Sequence, residues 1–400
     1  MNPVVVKFGG SSFRKVESYR SVCEIITGRL RARRTRLVVV VSAMYGHTDR
    51  LLAAARSLSP EVNGEASDLL LTAGETISAS LLKIALDQSG VRATVLNAYR
   101  LGILSDSNFT QAAIRSVDAA GLRRAMADSE VVVVTGAQAV DQEGRITMLG
   151  RNSSDLTAVA LAGALGLEEC EIYSDVPGVY SADPNLFQDA RLLPRVPHWQ
   201  IIEMSRCGAK VIHFGAAECA RRFGVRIVCR ATSRPEKIGT VIGGTHCSAP
   251  ALILNEKAAF FEFDSAAGLE EAESRLSAWG AAAVRVQRAG APMLAVTQGV
   301  LSVQEFLQGL SVSFRHIPGC ALIARITDAG HVEKAVVETA VARTLANRYH
   351  DEICSSLPPV GVREDLFDNA GTLAGARAMV AARDASFEPD LLPLVANLEN

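Results

Sequence analysis

A lysine sits inside an otherwise apolar run, Val4-Val5-Val6-Lys7-Phe8, and two glycines and two serines follow it directly. A cation in such a strand either meets an anionic partner or lies at the strand end in solvent. Gly9 and Gly10 let the backbone approach a ligand closely, Ser11 and Ser12 are helix-capping types, and amides at a helix start favour an anion such as phosphate. The stretch has neither G-x-x-x-x-G-K-[ST] nor G-x-G-x-x-G, so a Walker loop and a dinucleotide fingerprint are not licensed. A plain strand-to-helix connection stays open.

A second group, Gly150-Arg151-Asn152-Ser153-Ser154-Asp155, places a guanidinium fork, hydroxyls and a carboxylate just ahead of a small-residue helix. Arginine holds carboxylates bidentately, although Ser153 to Asp155 also suit simple helix capping. Residues 173–185 read as a strand followed by a long turn-rich loop, of the length that usually serves function. Ser42-Ala43-Met44, with Gly46, Thr48 and Asp49 after it, closes another strand in a polar loop.

These loops need a scaffold, and residues 1 to about 244 supply one by alternating short β-branched runs with amphipathic stretches. Strands are expected at 4–8, 37–42, 93–97, 131–136, 171–174 and 226–229, and helices at 15–33, 65–88, 119–127, 155–165 and 214–222. The spacing of Leu70, Leu71, Ile77, Leu81, Ile84 and Ala85 gives the second helix one apolar face. Segment 138–147 reads as a hairpin that puts Gly150 at a sheet edge. Thr, Ser, Pro and Gly dominate 231–250, a domain boundary. Beyond it the expected order is strand 252–263, helix 269–279, strands 282–287 and 293–298, helix 303–310, strand 321–327 and helix 331–346. A helix around 370–382 is expected near the C-terminus.

Composition narrows the function. Forty-one Lys+Arg against 43 Asp+Glu leave no basic excess for nucleic acid, and the dense basic cluster at Arg29 to Arg36 reads as the solvated end of a helix, with a phosphate patch as the other option. The strongly apolar stretches 37–44 and 157–167 fall short of the roughly 18 residues of a membrane span, and no secretory signal opens the chain. A cytoplasmic protein with no membrane partner is expected. The eight cysteines include no C-x-x-C pair, so they read as small apolar residues, and any metal should arrive with a phosphate substrate.

The segments "KFGGSS", "VVVVSAMYGHTD", "GETIS", "GRNSSDLTA", "YSDVPGVYSADPN" and "GAKVIH" occur in the order and spacing of aspartokinases, and the chain resembles that family, within the amino acid kinase group, over residues 1–244. The resemblance implies an α/β amino acid kinase fold followed by α+β ACT-like modules. It implies ATP and Mg2+ as cofactors, with phosphorylation of the side-chain carboxylate of aspartate. By motif, Lys7 would stabilise the transferring phosphoryl group, with Gly9, Gly10 and Ser11 cradling it, Lys210 would contact nucleotide phosphates, and Asp155 would organise the lysines or metal. Ser174, Asp175, Tyr180, Asp183 and Asn185 would line the nucleotide pocket. Glu75 would face the substrate ammonium, Arg151 a substrate carboxylate, and Ser42 and Ser154 the remaining polar groups; without the resemblance, Glu75 could equally be a solvated helix residue.

The implied division is a kinase domain at 1–244, paired ACT-like modules at 251–355 that would join copies into a homo-oligomer, and an extension at 356–400. Three departures stand out. Asn152 and Ser153 replace two glycines, which sets Ser153 beside the acceptor. Asn185 stands where arginine is common, and no glycine-rich effector turn occupies its expected place. Asn152 and Ser153 raise another amino acid or acidic metabolite as acceptor, the missing turn raises weakened feedback control, and a non-catalytic sensing subunit is a separate alternative that the retained Lys7, Glu75, Arg151, Asp155, Asp175 and Lys210 disfavour.

Overall fold

Leu37–Val41 and Val131–Thr135 are fully buried along their whole length, as continuous β-branched runs are when helices cover both faces of a parallel sheet. In the computed structural model, residues 3–356 are described, apart from 34, 60–61, 245–247, 289 and 299–302. The eight-stranded sheet runs Arg195–Val196, Thr240–Ile242, Arg226–Ala231, Glu169–Ser174, Val4–Phe8, Leu37–Val41, Val131–Thr135, Ala93–Leu96. The last six of these are mutually parallel, and they are the six expected strands.

Alternate side chains of the central strands feed two cores. Val6, Phe8, Val39 and Val133 pack with Val22 and Ile26 of helix Ser18–Arg33 and with Leu82 and Leu86 of helix Glu65–Gln88. Val5, Val38, Val40 and Val132 pack on the other side with Leu161 of helix Ser154–Ala164 and Ala217 of helix Phe214–Phe223. Helix Glu65–Gln88 is long and apolar enough to cross a membrane by length and composition alone, but Leu71, Ala79, Leu82 and Leu86 are buried within this protein.

A second sheet, Ile114–Val117, Ile103–Ser105, Gln138–Val140, Ile146–Met148, contains the expected hairpin, whose edge strand leads directly to Gly150.

The C-terminal region departs from expectation in two places. The strand expected over 252–263 is two, Ala251–Asn255 and Ala259–Phe263, because Asn255 turns the chain by accepting the Lys257 N–H at 3.0 Å. The halves join different sheets. The helix expected at 331–346 begins as strand Val332–Glu338, antiparallel to Cys320–Ile326 over seven pairs, and becomes helical only at Thr339–Ser356. Its three valines suit a strand, and pairing with Cys320–Ile326 decides the matter against the helical preference of Glu, Lys and Ala.

Ala259–Phe263, helix Ala266–Ala278, Ala282–Arg288, Ala291–Gln298, helix Val303–Gln308 and Phe314–Ile317 make one βαββαβ unit. It is nested between the strands Ala251–Asn255 and Cys320–Ile326, which pair with each other. Residues 357–400, with the expected helix at 370–382, lie outside the described residues.

Candidate active site

Lys7 is placed on the central parallel strand, flanked in register by Val40 and Ile172. Its Nζ lies 2.6 Å from Asp155 Oδ1, with the two side chains only 10% and 8% exposed. Asp155 occupies the first turn of helix Ser154–Ala164, and its Oδ2 accepts the backbone N–H of His213 at 3.3 Å. One carboxylate thus ties the first strand to the segment that carries Lys210, three residues before His213.

Gly9 donates its N–H to the Tyr173 carbonyl at 2.9 Å, and a Cβ on Gly10 would lie 2.8 Å from the Ala43 carbonyl oxygen. Only glycine fits that approach. The serines do not cap a helix, contrary to expectation: Gly10–Ser12 is a short 3-10 turn and the α-helix begins at Ser18. Ser11 Oγ accepts the Asp175 N–H at 3.2 Å, and the Ser12 and Thr232 hydroxyls bond at 2.7 Å, so the turn is tied sideways to neighbouring strand ends.

Glu75 lies mid-helix and is 5% exposed, which removes the solvated alternative. Its Oε1 accepts the Ala43 N–H at 3.1 Å, next to Ser42, while the buried Oε2 has no hydrogen-bond partner among the described residues. Burial pushes this carboxyl up to about 7, against the pull of the Ala43 N–H and the nearby Lys7 charge.

Arg151 is partly exposed and pairs with Asp49, in the first turn of helix His47–Leu58. Asn152 takes the left-handed conformation, φ 62°, which asparagine accepts more readily than most residues. Ser153 is fully buried and its hydroxyl donates to the Gly150 carbonyl at 2.6 Å. That hydroxyl closes its own turn. Ser154 is buried against Gly136, where a Cβ would come within 2.5 Å of Ser154 Oγ.

The residues expected at the nucleotide surround the loop after Glu169–Ser174. Ser174 Oγ donates to the Val176 carbonyl at 2.8 Å. Asp175 pairs with Arg14 at 3.1 Å, and that guanidinium lies 4.7 Å from the Tyr45 ring centroid. Tyr180 bridges to Leu192, and Asp183 Oδ1 accepts both the backbone and side-chain N–H of Asn185 at 2.9 Å. Lys210 is exposed between helices His198–Arg206 and Phe214–Phe223. Direct contacts therefore join Lys7 to Asp155, Ser11 to Asp175 and the Glu75 helix to the turn after Ser42, whereas Asp183 and Asn185 bond each other at the exposed loop.

A buried lysine held by a carboxylate beside glycine-spaced backbone, with an unfilled buried carboxylate nearby, suits a site that gathers anions and an ammonium. Residues 2–231 match the family model described as the amino acid kinase family. The chain belongs to the amino acid kinase family. The aspartokinase of Mycolicibacterium smegmatis is 41% identical over 243 residues, 60% of this chain and 57% of that protein. A Thermus thermophilus aspartokinase is 41% identical over 229 residues, 57% of this chain and 56% of its own length. The match thus spans a little over half the length of these relatives.

Among solved structures, E. coli aspartokinase III in complex with aspartate and ADP aligns with a TM-score of 0.71 at 21% identity, covering 87% of this chain and 99% of the other. Aspartate kinase from Synechocystis aligns at 0.53 and 25% identity, covering 89% and 70%. Fold similarity to aspartokinase III therefore extends well past the eight-stranded sheet of this amino acid kinase.

Several buried or half-buried polar groups on the same strands and segments were not anticipated. Arg29, expected at a solvated helix end, forms a two-pronged pair with the buried Glu171, which also accepts from Tyr173 at 2.9 Å and Arg230 at 3.1 Å. Burial works to raise the Glu171 carboxyl, but Arg29 and Arg230 hold it below its usual range. The sequence signal was an acidic residue within a parallel strand. His213 is half-buried, its buried Nδ1 has no hydrogen-bond partner among the described residues, and desolvation lowers its pKa despite the opposing charge of Asp155. Among the described residues no group of three or more His, Cys, Asp or Glu could hold a metal ion.

Proposed function

We propose that this amino acid kinase transfers the γ-phosphoryl group of ATP to the side-chain carboxylate of aspartate, yielding 4-phosphoaspartate and ADP. The observation that carries this is the buried Glu75 carboxylate, with one oxygen unpartnered, close enough to the Lys7–Asp155 pair to feel the lysine charge. An ammonium group bound there would satisfy that oxygen, and Arg151, released from Asp49, would take the α-carboxylate bidentately. Ser42 and Ser154 would complete the acceptor side.

A carboxylate and a triphosphate repel each other, so transfer requires cations and donors held in line. Lys7 supplies positive charge at the transferring group, the Gly9, Gly10 and Ser11 turn cradles it, and Lys210 engages the nucleotide phosphates. Ser174, Asp175, Tyr180, Asp183 and Asn185 line the nucleotide pocket, and Mg2+ enters with ATP. Asp155 keeps Lys7 oriented. No general base is needed, because the attacking carboxylate is already ionised at neutral pH; its oxygen bonds to phosphorus as the bond to the ADP oxygen breaks.

Residues 1–244 would form the catalytic domain and 251–355 paired ACT-like modules, with the βαββαβ unit as one of them. Homo-oligomerisation through their open strand edges and a soluble, cytoplasmic setting accompany this assignment.

ADP release measured with Mg-ATP across a panel of amino acids tests the proposal. Aspartate alone should stimulate it, and Arg151→Ala should raise the aspartate KM by at least tenfold. Turnover with a different amino acid would reassign the acceptor, and ATP binding without turnover would favour a sensing subunit.

A further inference from the structure

Asp68 is fully buried on the same helix as Glu75, seven positions earlier. At about 100° per residue, that separation brings the two carboxylates to nearly the same helix face, roughly 10 Å apart along the axis. Asp68 Oδ1 accepts the Thr110 N–H at 2.8 Å, and Oδ2 accepts the Met148 N–H at 2.6 Å. Neither donor belongs to the helix. Thr110 sits in the left-handed region at φ 69°, a conformation that a β-branched residue adopts only when its surroundings hold it. Met148 ends the strand that leads through Leu149 and Gly150 to Arg151, and its carbonyl accepts the Ala112 N–H at 2.8 Å.

The two pinned segments meet at Gly150, where a Cβ would lie 2.7 Å from Gln111 Oε1. Thr110, Gln111, Met148 and Arg151 also line one small cavity with Leu71, from the Asp68 helix. We infer that Asp68 is a positioning residue for acceptor specificity: it fixes the backbone bearing Arg151 relative to Glu75, and so sets the distance between the ammonium-reading and carboxylate-reading ends of the clamp. This rests on the acceptor clamp proposed above. The helix has a separate tie to the same sheet, from Gln138 Nε2 to the Thr72 carbonyl at 2.7 Å, so loss of Asp68 need not unfold it.

Asp68→Asn keeps the shape but turns an amide donor toward a backbone N–H. Expected is a rise of tenfold or more in acceptor KM, with ATP KM and kcat within about threefold of wild type. Asp68→Glu, with both acceptor oxygens moved by one methylene, should fall between the two. Equal losses in acceptor KM, ATP KM and kcat, or no change in any, would overturn the inference. Amide hydrogen exchange on the same proteins separates this from the choice of acceptor, because it needs no turnover. Asp68→Asn should speed exchange at Thr110, Met148 and through Arg151 while leaving the Val4–Phe8 strand protected. Unchanged exchange at 146–152 would overturn the inference even if aspartate proved to be the acceptor; failure of wild type to use aspartate, with exchange altered as expected, would instead count against the proposed substrate alone.

Discussion

Lys7 and Asp155 form an ion pair almost shut off from water. Removing one partner of a buried pair leaves an uncompensated ion, a loss on the order of 3–5 kcal/mol. Lys7→Met should therefore lower both stability and kcat, the latter by a hundredfold or more. Adding Asp155→Asn should return part of the stability and none of the rate, as a thermal double-mutant cycle beside steady-state kinetics would reveal.

Glu75 gives a pH prediction. Because burial raises it from 4.5 to about 7, the folded chain keeps a proton that the unfolded chain releases near 4.5. Stability should then fall as pH rises through that window and level off above about 7, by ~3 kcal/mol for this residue. Glu75→Gln should flatten that part of the curve in denaturant melts. Ammonium binding requires the ionised form, so wild-type aspartate KM should rise as pH drops below about 7.

At the scale of elements, helix His198–Arg206 and the turn after it are gripped by the C-terminal strands. Gln200 exchanges two hydrogen bonds with Ala249, Lys334 pairs with Glu203 at 3.0 Å, Thr297 donates to the Arg206 carbonyl and Asn255 to the Cys207 carbonyl at 3.3 Å. Gly208, two residues before Lys210, has φ 107°, and a Cβ there would fall 2.1 Å from Asn255 Nδ2. Gly208→Ala should lower the melting temperature by several degrees, and Asn255→Ala in the same chain should recover part of it.

None of that grip was legible in the sequence, since it depends on strands brought together from 250 to 334. The parallel sheet was legible, because unbroken valine runs leave no other way to bury themselves. Strand Val332–Glu338 was not, because its valines are interleaved with Glu, Lys and Ala and run straight into a helical pattern, so the strand is distinct only once Cys320–Ile326 pairs with it. In the site, Lys7 declared itself as a cation in an apolar strand. Asp68 did not, because a carboxylate among helical polar residues looks solvated until the fold closes over it.

At the scale of the molecule, the C-terminal region holds one complete βαββαβ unit inserted between the paired strands Ala251–Asn255 and Cys320–Ile326. Its first helix is capped by Ser265, whose Oγ accepts the Gly268 N–H at 3.1 Å, and Asp264 accepts from the Ser313 hydroxyl. The sequence has no glycine-rich effector turn at its expected place, so weak feedback control is expected. Lysine plus threonine at millimolar concentration should inhibit the purified protein only partly.

The central claim is the acyl phosphate itself. Purified protein with Mg-ATP and aspartate in the presence of hydroxylamine should accumulate aspartyl hydroxamate in step with ADP, and Lys7→Met should abolish both. ADP formed without hydroxamate, or hydroxamate formed only with a different amino acid, would contradict the account.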